Sequence, residues 1–218
     1  MEEENRRLLV TGARALGIDL GRESIEAFEV YLRELVKWNQ KINLTAIRTE
    51  REVVTKHFLD SLCVSPYLGS IFSLLDIGSG AGFPGIPLKI IHPNLKVTLI
   101  DSVRKKVDFQ RHVIRTLRLE GAEAIHGRAQ DRTLLQTMES RFDAVISRAF
   151  SSLQNFLTLG HPFLKKGGTA FAMKGTVLPE ETSHLTGTAG SEYRLKDTIP
   201  LSIPSTSLKR SLLLFEKA

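Results

Sequence analysis

The chain has 218 residues, 42% of them hydrophobic and 25% charged, with a formal net charge of +6 and a single cysteine, Cys63. Such a chain buries a core unaided; the composition excludes a disulfide framework, and no Cys/His spacing suits a metal site. The polar start Met1-Glu2-Glu3-Glu4-Asn5 is no signal peptide and no apolar run approaches the roughly 18 residues of a membrane span, so a cytoplasmic setting is expected, and the basic surplus favours a polyanionic partner.

Up to about residue 62 the pattern is helical. Ile25, Phe28, Leu32, Leu35 and Val36 recur at helical spacing and give one apolar face. Thr49-Glu50-Arg51-Glu52 fits a capping box that opens another helix. From Ile71 the period changes. Apolar β-type runs at 72–77, 97–100, 123–126, 142–146 and 169–173 alternate with amphipathic stretches at 86–91, 103–117, 131–138 and 153–159. Alternating strands and helices predict a mostly parallel, doubly wound sheet. Two more strands, 191–199 and 209–215, are joined by a short loop with Pro204, which permits only an antiparallel pair. The expectation is a Rossmann-like α/β fold of seven strands ending in an antiparallel hairpin. Residues 1–62 form a helical extension on a main domain of residues 63–218.

The densest signal is Leu74-Leu75-Asp76-Ile77-Gly78-Ser79-Gly80-Ala81-Gly82-Phe83-Pro84-Gly85, a strand running into a glycine-rich turn and then a helix. Glycine lets the backbone turn sharply and approach a ligand. As a dinucleotide fingerprint the series must start at Gly78, and its third glycine position then falls on Phe83. The register therefore favours the first loop of an S-adenosylmethionine-binding sheet, with Gly78, Gly80 and Gly82 at the cofactor. Asp101 ends the next strand, where a carboxylate accepts hydrogen bonds from ribose hydroxyls, and Ser102 follows it. One strand later Ala129 and Gln130 occupy the place where such folds read the adenine edge.

The fourth strand leads into Ser147-Arg148-Ala149-Phe150, which should sit beside the reacting methyl. No Asn/Asp-Pro-Pro-aromatic motif for exocyclic amines is present, and Cys63 is misplaced for attack on a pyrimidine carbon. An acceptor with a free lone pair, such as guanine N7, needs neither. Arg148, Asn43 and Lys174 are the candidates for handling the base. Asn39, Lys41, His57, Phe150, Lys165 and Lys166 are candidates for RNA contact, Phe150 or Phe83 by stacking. Arg104, Arg111, Arg115 and Arg118 form a stripe beside an apolar face of Val103, Val107, Ile114 and Leu117. That stripe suits phosphates or plain solvent equally.

These residues resemble the glucose-inhibited division protein B family, the small-subunit ribosomal RNA guanine-N7 methyltransferases. The specific matches are Trp38-Asn39-Gln40-Lys41-Ile42-Asn43-Leu44-Thr45, His57-Phe58-Leu59-Asp60-Ser61-Leu62, the glycine loop extended through Ile86-Pro87-Leu88, and Asp101-Ser102 with Lys105-Lys106. Ser147-Arg148-Ala149-Phe150 and Met173-Lys174-Gly175 complete them. The resemblance implies cofactor contacts at Gly78, Phe83, Ala129, Gln130 and Arg148 and a role for the segment from Asp101. It implies 16S ribosomal RNA or the small ribosomal subunit as partner; the sequence leaves the oligomeric state open, with a monomer as the simplest expectation and no membrane or metal. Gln130 departs from the glutamate frequent in that family. The alternative reading keeps the fold and cofactor but gives the methyl to a small molecule or a protein.

Overall fold

The structure, a computed structural model, describes residues 1–148, 150–175 and 192–218. Ala149 of the fourth-strand motif and the first residue of the expected strand 191–199 therefore lie outside the described residues.

Helices α1 (Glu3–Ala15) and α2 (Arg22–Ile42) open the chain. A short α3 (Glu50–Val53) continues through a π turn, Val54–Leu59, into α4 (Asp60–Leu62). The Thr49 hydroxyl accepts from the Glu52 N–H, which is the first half of a capping box, while the Glu52 carboxylate accepts from the Thr49 hydroxyl and not from the Thr49 backbone N–H. The π turn is not foreseen by the sequence reading. It lets the Asp60 N–H reach back to the Thr55 carbonyl, five residues away.

Strands β1 (Ser73–Ile77), β2 (Lys96–Asp101), β3 (Ala122–His126), β4 (Phe142–Ser147) and β5 (Leu164–Lys174) alternate with α5 (Gly85–Ile91), α6 (Arg104–Thr116), α7 (Arg132–Met138) and α8 (Leu153–Gly160). Strands β6 (Tyr193–Ser202) and β7 (Lys209–Lys217) close the chain. The order in the seven-stranded sheet is β3-β2-β1-β4-β5-β7-β6. The first five strands pair in parallel; β7 lies antiparallel between β5 and β6. The expected sheet is present. The chain winds outward from β1 to β3 and then returns to β4 on the other side of β1, so the crevice at a topological switch point opens beyond the carboxyl ends of β1 and β4.

Adjacent strand residues face opposite layers. Leu74, Val97, Leu99, Ile146 and Phe171 join one core with Leu9, Phe28, Leu32 and Phe58 of the amino-terminal helices. Leu75, Ile100, Val145 and Ala172 join the second with Phe156 and Leu157 of α8. The first 62 residues thus share a continuous core with one face of the sheet.

Three details differ from expectation. Strand β5 starts at Leu164 rather than near residue 169, because an irregularity between Phe142 and Ala144 absorbs Lys165-Lys166-Gly167-Gly168, which shows no apolar alternation. Strand β6 runs on through Pro200; as an edge strand it tolerates the missing donor. Val103 is 43% exposed at the start of α6 instead of packing on the sheet, and Phe109 and Gln110 are buried in its stead.

Candidate functional site

The glycine loop leaves β1 and is held by its neighbours. Gly78, Gly80 and Gly82 have φ of 73°, 60° and 97°, a region disfavoured for any side chain. The Gly78 and Ser79 N–H groups donate to the Ile100 carbonyl at 2.8 and 3.1 Å. A Cβ at Gly78 or Gly80 would meet nothing within 4 Å, so the loop borders open space. At Gly82 a Cβ would come within 2.9 Å of the Tyr31 hydroxyl.

Two side chains from outside the loop fix its carbonyls. Tyr31 of α2 donates to the Ala81 carbonyl at 2.6 Å, and Gln110 of α6 donates to the Gly80 carbonyl at 2.7 Å and to the Ser79 hydroxyl at 2.9 Å. Both are fully buried, Tyr31 at 0% and Gln110 at 0% exposure. Buried O–H and N–H donors are retained where they find partners, as these do, while Gln110 Oε1 has none among the described residues. Sequence reasoning missed both. Tyr31 hides within the apolar period of α2. Gln110 carries a usable signal, a polar residue on the apolar face between Val107 and Val113.

Two carboxylates border the loop. Asp101 is held by backbone: one oxygen accepts from the Gly80 N–H and the other from the Val103 N–H, both at 2.8 Å. Each oxygen keeps a further lone pair. Asp76 is fully buried; one oxygen accepts from the Gly85 N–H at 2.8 Å and the other has no partner among the described residues. Burial pushes the Asp76 carboxyl up to about 7, opposed by the Gly85 N–H and the charge of Arg148. Ser102, Gly127, Ala129 and Gln130 lie at the adjoining ends of β2 and β3, where the Gly127 N–H donates to the Asp101 carbonyl at 3.1 Å. Ala129 is buried and Gln130 exposed.

Across the crevice stands Arg148, just beyond β4. Ser147 ties the two strand ends by donating to the Ile77 carbonyl at 2.7 Å. Arg148 Nη1 donates to the Lys56 carbonyl at 3.0 Å and to Asp60 Oδ2 at 2.9 Å; Nη2 donates to His57 Nδ1 at 3.0 Å. The guanidinium also lies 5.4 Å from the centre of the Phe83 ring. His57 stacks on the same ring, centroids 4.3 Å apart and planes 14° from parallel, and Tyr31 stacks on it at 5.3 Å. His57 Nε2 is 2.9 Å from the Thr45 hydroxyl, and Asn39 pairs with the Thr45 backbone N–H and C=O, each at 3.0 Å. Burial and the Arg148 charge hold the His57 imidazole down to about 3. Its Nδ1 accepts from Arg148, so the neutral ring carries its proton on Nε2.

The sequence-predicted residues divide accordingly. Gly78, Gly80, Gly82, Asp101 and Arg148 converge on the crevice. Lys174 lines a cleft of about 280 Å³ with Lys56, His57, Arg148, Met173 and Arg210, and its ammonium is 6.0 Å from the Phe150 ring. His57 and the Phe83 ring are both buried and both contact Arg148. Asn39 serves the Thr45 backbone. Asn43 caps α2 in the left-handed region, φ 43° and ψ 59°, and Lys41 is exposed at the same end. Lys165 and Lys166 are not brought to the crevice. They sit at the start of β5, at the opposite end of the sheet, where Lys165 pairs with Asp143 at 2.6 Å. Arg210 lines the cleft and Asp60 lies buried behind it, paired with Arg148 and Arg210, and neither was given a role from sequence: a carboxylate inside an apolar run was a legible signal, a single arginine in a strand was not.

A family model described as rRNA small subunit methyltransferase G matches residues 24–213. The ribosomal RNA small subunit methyltransferase G of Geotalea uraniireducens is 42% identical over 218 residues, covering 100% of this chain and 99% of the relative. Among solved structures, a SAM-dependent methyltransferase from Aquifex aeolicus superposes with a TM-score of 0.58 at 16% identity, covering 77% of this chain and 93% of that one. TYW2 of M. jannaschii, solved in complex with AdoMet, gives 0.52 at 18% identity, with coverages of 67% and 69%. At such identities the structural likeness speaks to the fold alone.

Proposed function

Since this chain belongs to the rRNA small subunit methyltransferase G family, we propose that it transfers the methyl group of S-adenosylmethionine to N7 of a guanine in the 16S RNA of the small ribosomal subunit. The observation that carries this reading is the crevice between β1 and β4. There an open glycine loop, a buried carboxylate with one unpartnered oxygen and a fixed arginine converge.

The residues present fit the cofactor. The unpartnered oxygen of buried Asp76 suits a cationic ammonium, and the open space beside Gly78 and Gly80 suits close approach of a ligand to backbone. Asp101 has lone pairs left for ribose hydroxyls, and Ala129 and Gln130 are placed for the adenine edge. S-adenosylmethionine supplies a methyl group made electrophilic by its sulfonium charge.

On the acceptor side N7 brings its own lone pair, so the protein's task is alignment, not proton removal. His57 fits that division of labour: held neutral far below its usual range, it serves as a hydrogen-bond acceptor for Arg148. Arg148 and Lys174 line the cleft next to the crevice, where cations suit guanine O6 and phosphate oxygens. Asn43 and Lys41, exposed at the end of α2, are the candidates for contact with RNA farther out. Ribosomal RNA as substrate puts the reaction in the cytoplasm.

The test is methylation of small ribosomal subunits from cells that lack the modification, with labelled S-adenosylmethionine, followed by mass-spectrometric mapping of the RNA. We expect one 7-methylguanosine at one position. Cofactor binding without transfer to RNA would remove the acceptor assignment and leave the alternative of a small molecule or protein.

A further inference from the structure

Asp60 has no part in the reading above. Its side chain is fully buried, at the first residue beyond the π turn. A carboxylate there is strongly disfavoured unless it is paired. Each of its oxygens takes a different arginine: Oδ2 accepts from Arg148 Nη1 and Oδ1 from Arg210 Nε, both at 2.9 Å. The two arginines arrive from distant points, one beyond β4 and one on β7. The π turn contributes to the same arrangement, since Arg148 also donates to the carbonyl of Lys56.

Arg148 is thereby held on several sides. Arg210 commits only its Nε; its terminal nitrogens make no hydrogen bond among the described residues. Both side chains line the cleft that also holds Lys56 and Lys174. Without an anion between them, two guanidinium groups so placed would splay apart. With it they are oriented before any substrate arrives, and less rotamer freedom is lost on binding.

We propose that Asp60 is a positioning residue for methyl transfer: it sets the Arg148–Arg210 pair so that their outward N–H groups receive a phosphate beside the target guanosine, which turns the base toward the crevice. A planar fork of donors matches a phosphodiester. The inference rests on the RNA-methylating reading.

Positioning and attraction make opposite demands on charge, which makes the proposal testable. Removing the Asp60 charge leaves the cleft one unit more cationic. RNA should then be held as tightly or more tightly, but wrongly oriented. The experiment compares wild type, Asp60→Asn, Arg210→Met and the double variant in single turnover on unmethylated small subunits, with adenosylhomocysteine binding measured by calorimetry on the same preparations. Asp60→Asn should bind adenosylhomocysteine at full stoichiometry within about twofold of wild type. Its KM for subunits should be unchanged or lower and as steeply salt-dependent, while the transfer rate falls about 100-fold. Arg210→Met should instead raise KM and flatten the salt dependence.

The proposal is overturned if the Asp60→Asn rate falls only in proportion to its cofactor-binding stoichiometry, or if KM rises while the rate holds. Should Asp60→Asn fail to fold, the double variant, with one cation fewer around the site, takes its place. Its rate should fall about tenfold below that of Arg210→Met because Arg148 has lost its anchor; equal rates sink the idea. A wild-type chain that binds adenosylhomocysteine but methylates no subunit would defeat the RNA reading itself, and this proposal with it.

Discussion

The two ends of the sheet make an instructive contrast. At the amino ends of the strands lies a cavity of about 510 Å³, lined by Phe72, Lys96, Glu123, Arg141, Asp143 and Lys165. At the carboxyl ends the cleft beside the crevice is only about 280 Å³. Both carry charge. At the amino end it is partly exposed and fully hydrogen-bonded: burial raises the Asp143 carboxyl, but hydrogen bonds from Lys165, Ser73 and the Phe72 and Ser73 N–H groups outweigh that and draw it down to about 2. At the carboxyl end the charges are buried and shared among distant elements, and burial drives Asp76 and His57 away from their ordinary values. Cavity size therefore misleads here. Desolvated polar groups held by several segments, some with an atom still unpartnered, support the carboxyl end as the proposed site.

The largest contrast should come from Arg148→Ala against Arg141→Ala. The first strips a partner from buried Asp60 and from His57 and should cost about 3 kcal/mol of stability, with methylation near background; Arg148→Lys should not restore it. Arg141→Ala should stay within about 0.5 kcal/mol in denaturant titration. Next, Asp101→Ala releases the Gly80 and Val103 N–H groups and should weaken adenosylhomocysteine binding about 100-fold by calorimetry. Asp143→Ala should lower the thermal midpoint and leave that affinity alone; an equal loss of affinity would erase the distinction between the two ends.

A pH effect of intermediate size follows from Asp76. Its folded value of about 7 lies above its ordinary 3.8. In the free protein this group's contribution to stability declines as pH rises from about 4 to 7, because the native state holds the proton. A cationic ammonium beside it favours the ionised form. Adenosylhomocysteine affinity should therefore rise by up to about tenfold per pH unit below 7 and level off above, and Asp76→Asn should flatten the profile. Smallest of all, Tyr31→Phe should cost about 1 kcal/mol, a several-fold loss of cofactor affinity with the subunit KM unchanged. Lys165→Ala, which breaks only a half-exposed ion pair, should change neither reading.

Much of this was legible before folding. The alternation of β-type and amphipathic runs fixes the order of elements, and the glycine loop with Asp101 marks the crevice where we propose the cofactor binds, since both signals are local. Tyr31, Gln110, Asp60 and Arg210 were not read. Tyr31 and Arg210 look ordinary within their own segments, Gln110 and Asp60 stand out only as polar groups among apolar neighbours, and each acquires its role through a partner 30 or more residues away, or 150 in the case of Arg210 and Asp60. His57 and Lys165 show the converse: both suit RNA by residue type, yet one is buried under Arg148 and the other lies at the far end of the sheet.

The sequence by itself determined which backbone segments become strand, helix and turn, because periodicity, capping and glycine act over a few residues. Only the tertiary structure decided which charges are desolvated together. That depends on how the amino-terminal helices, the end of β4 and the last hairpin close on one another, and burial and Coulomb interaction are set by distance in space, not by separation along the chain.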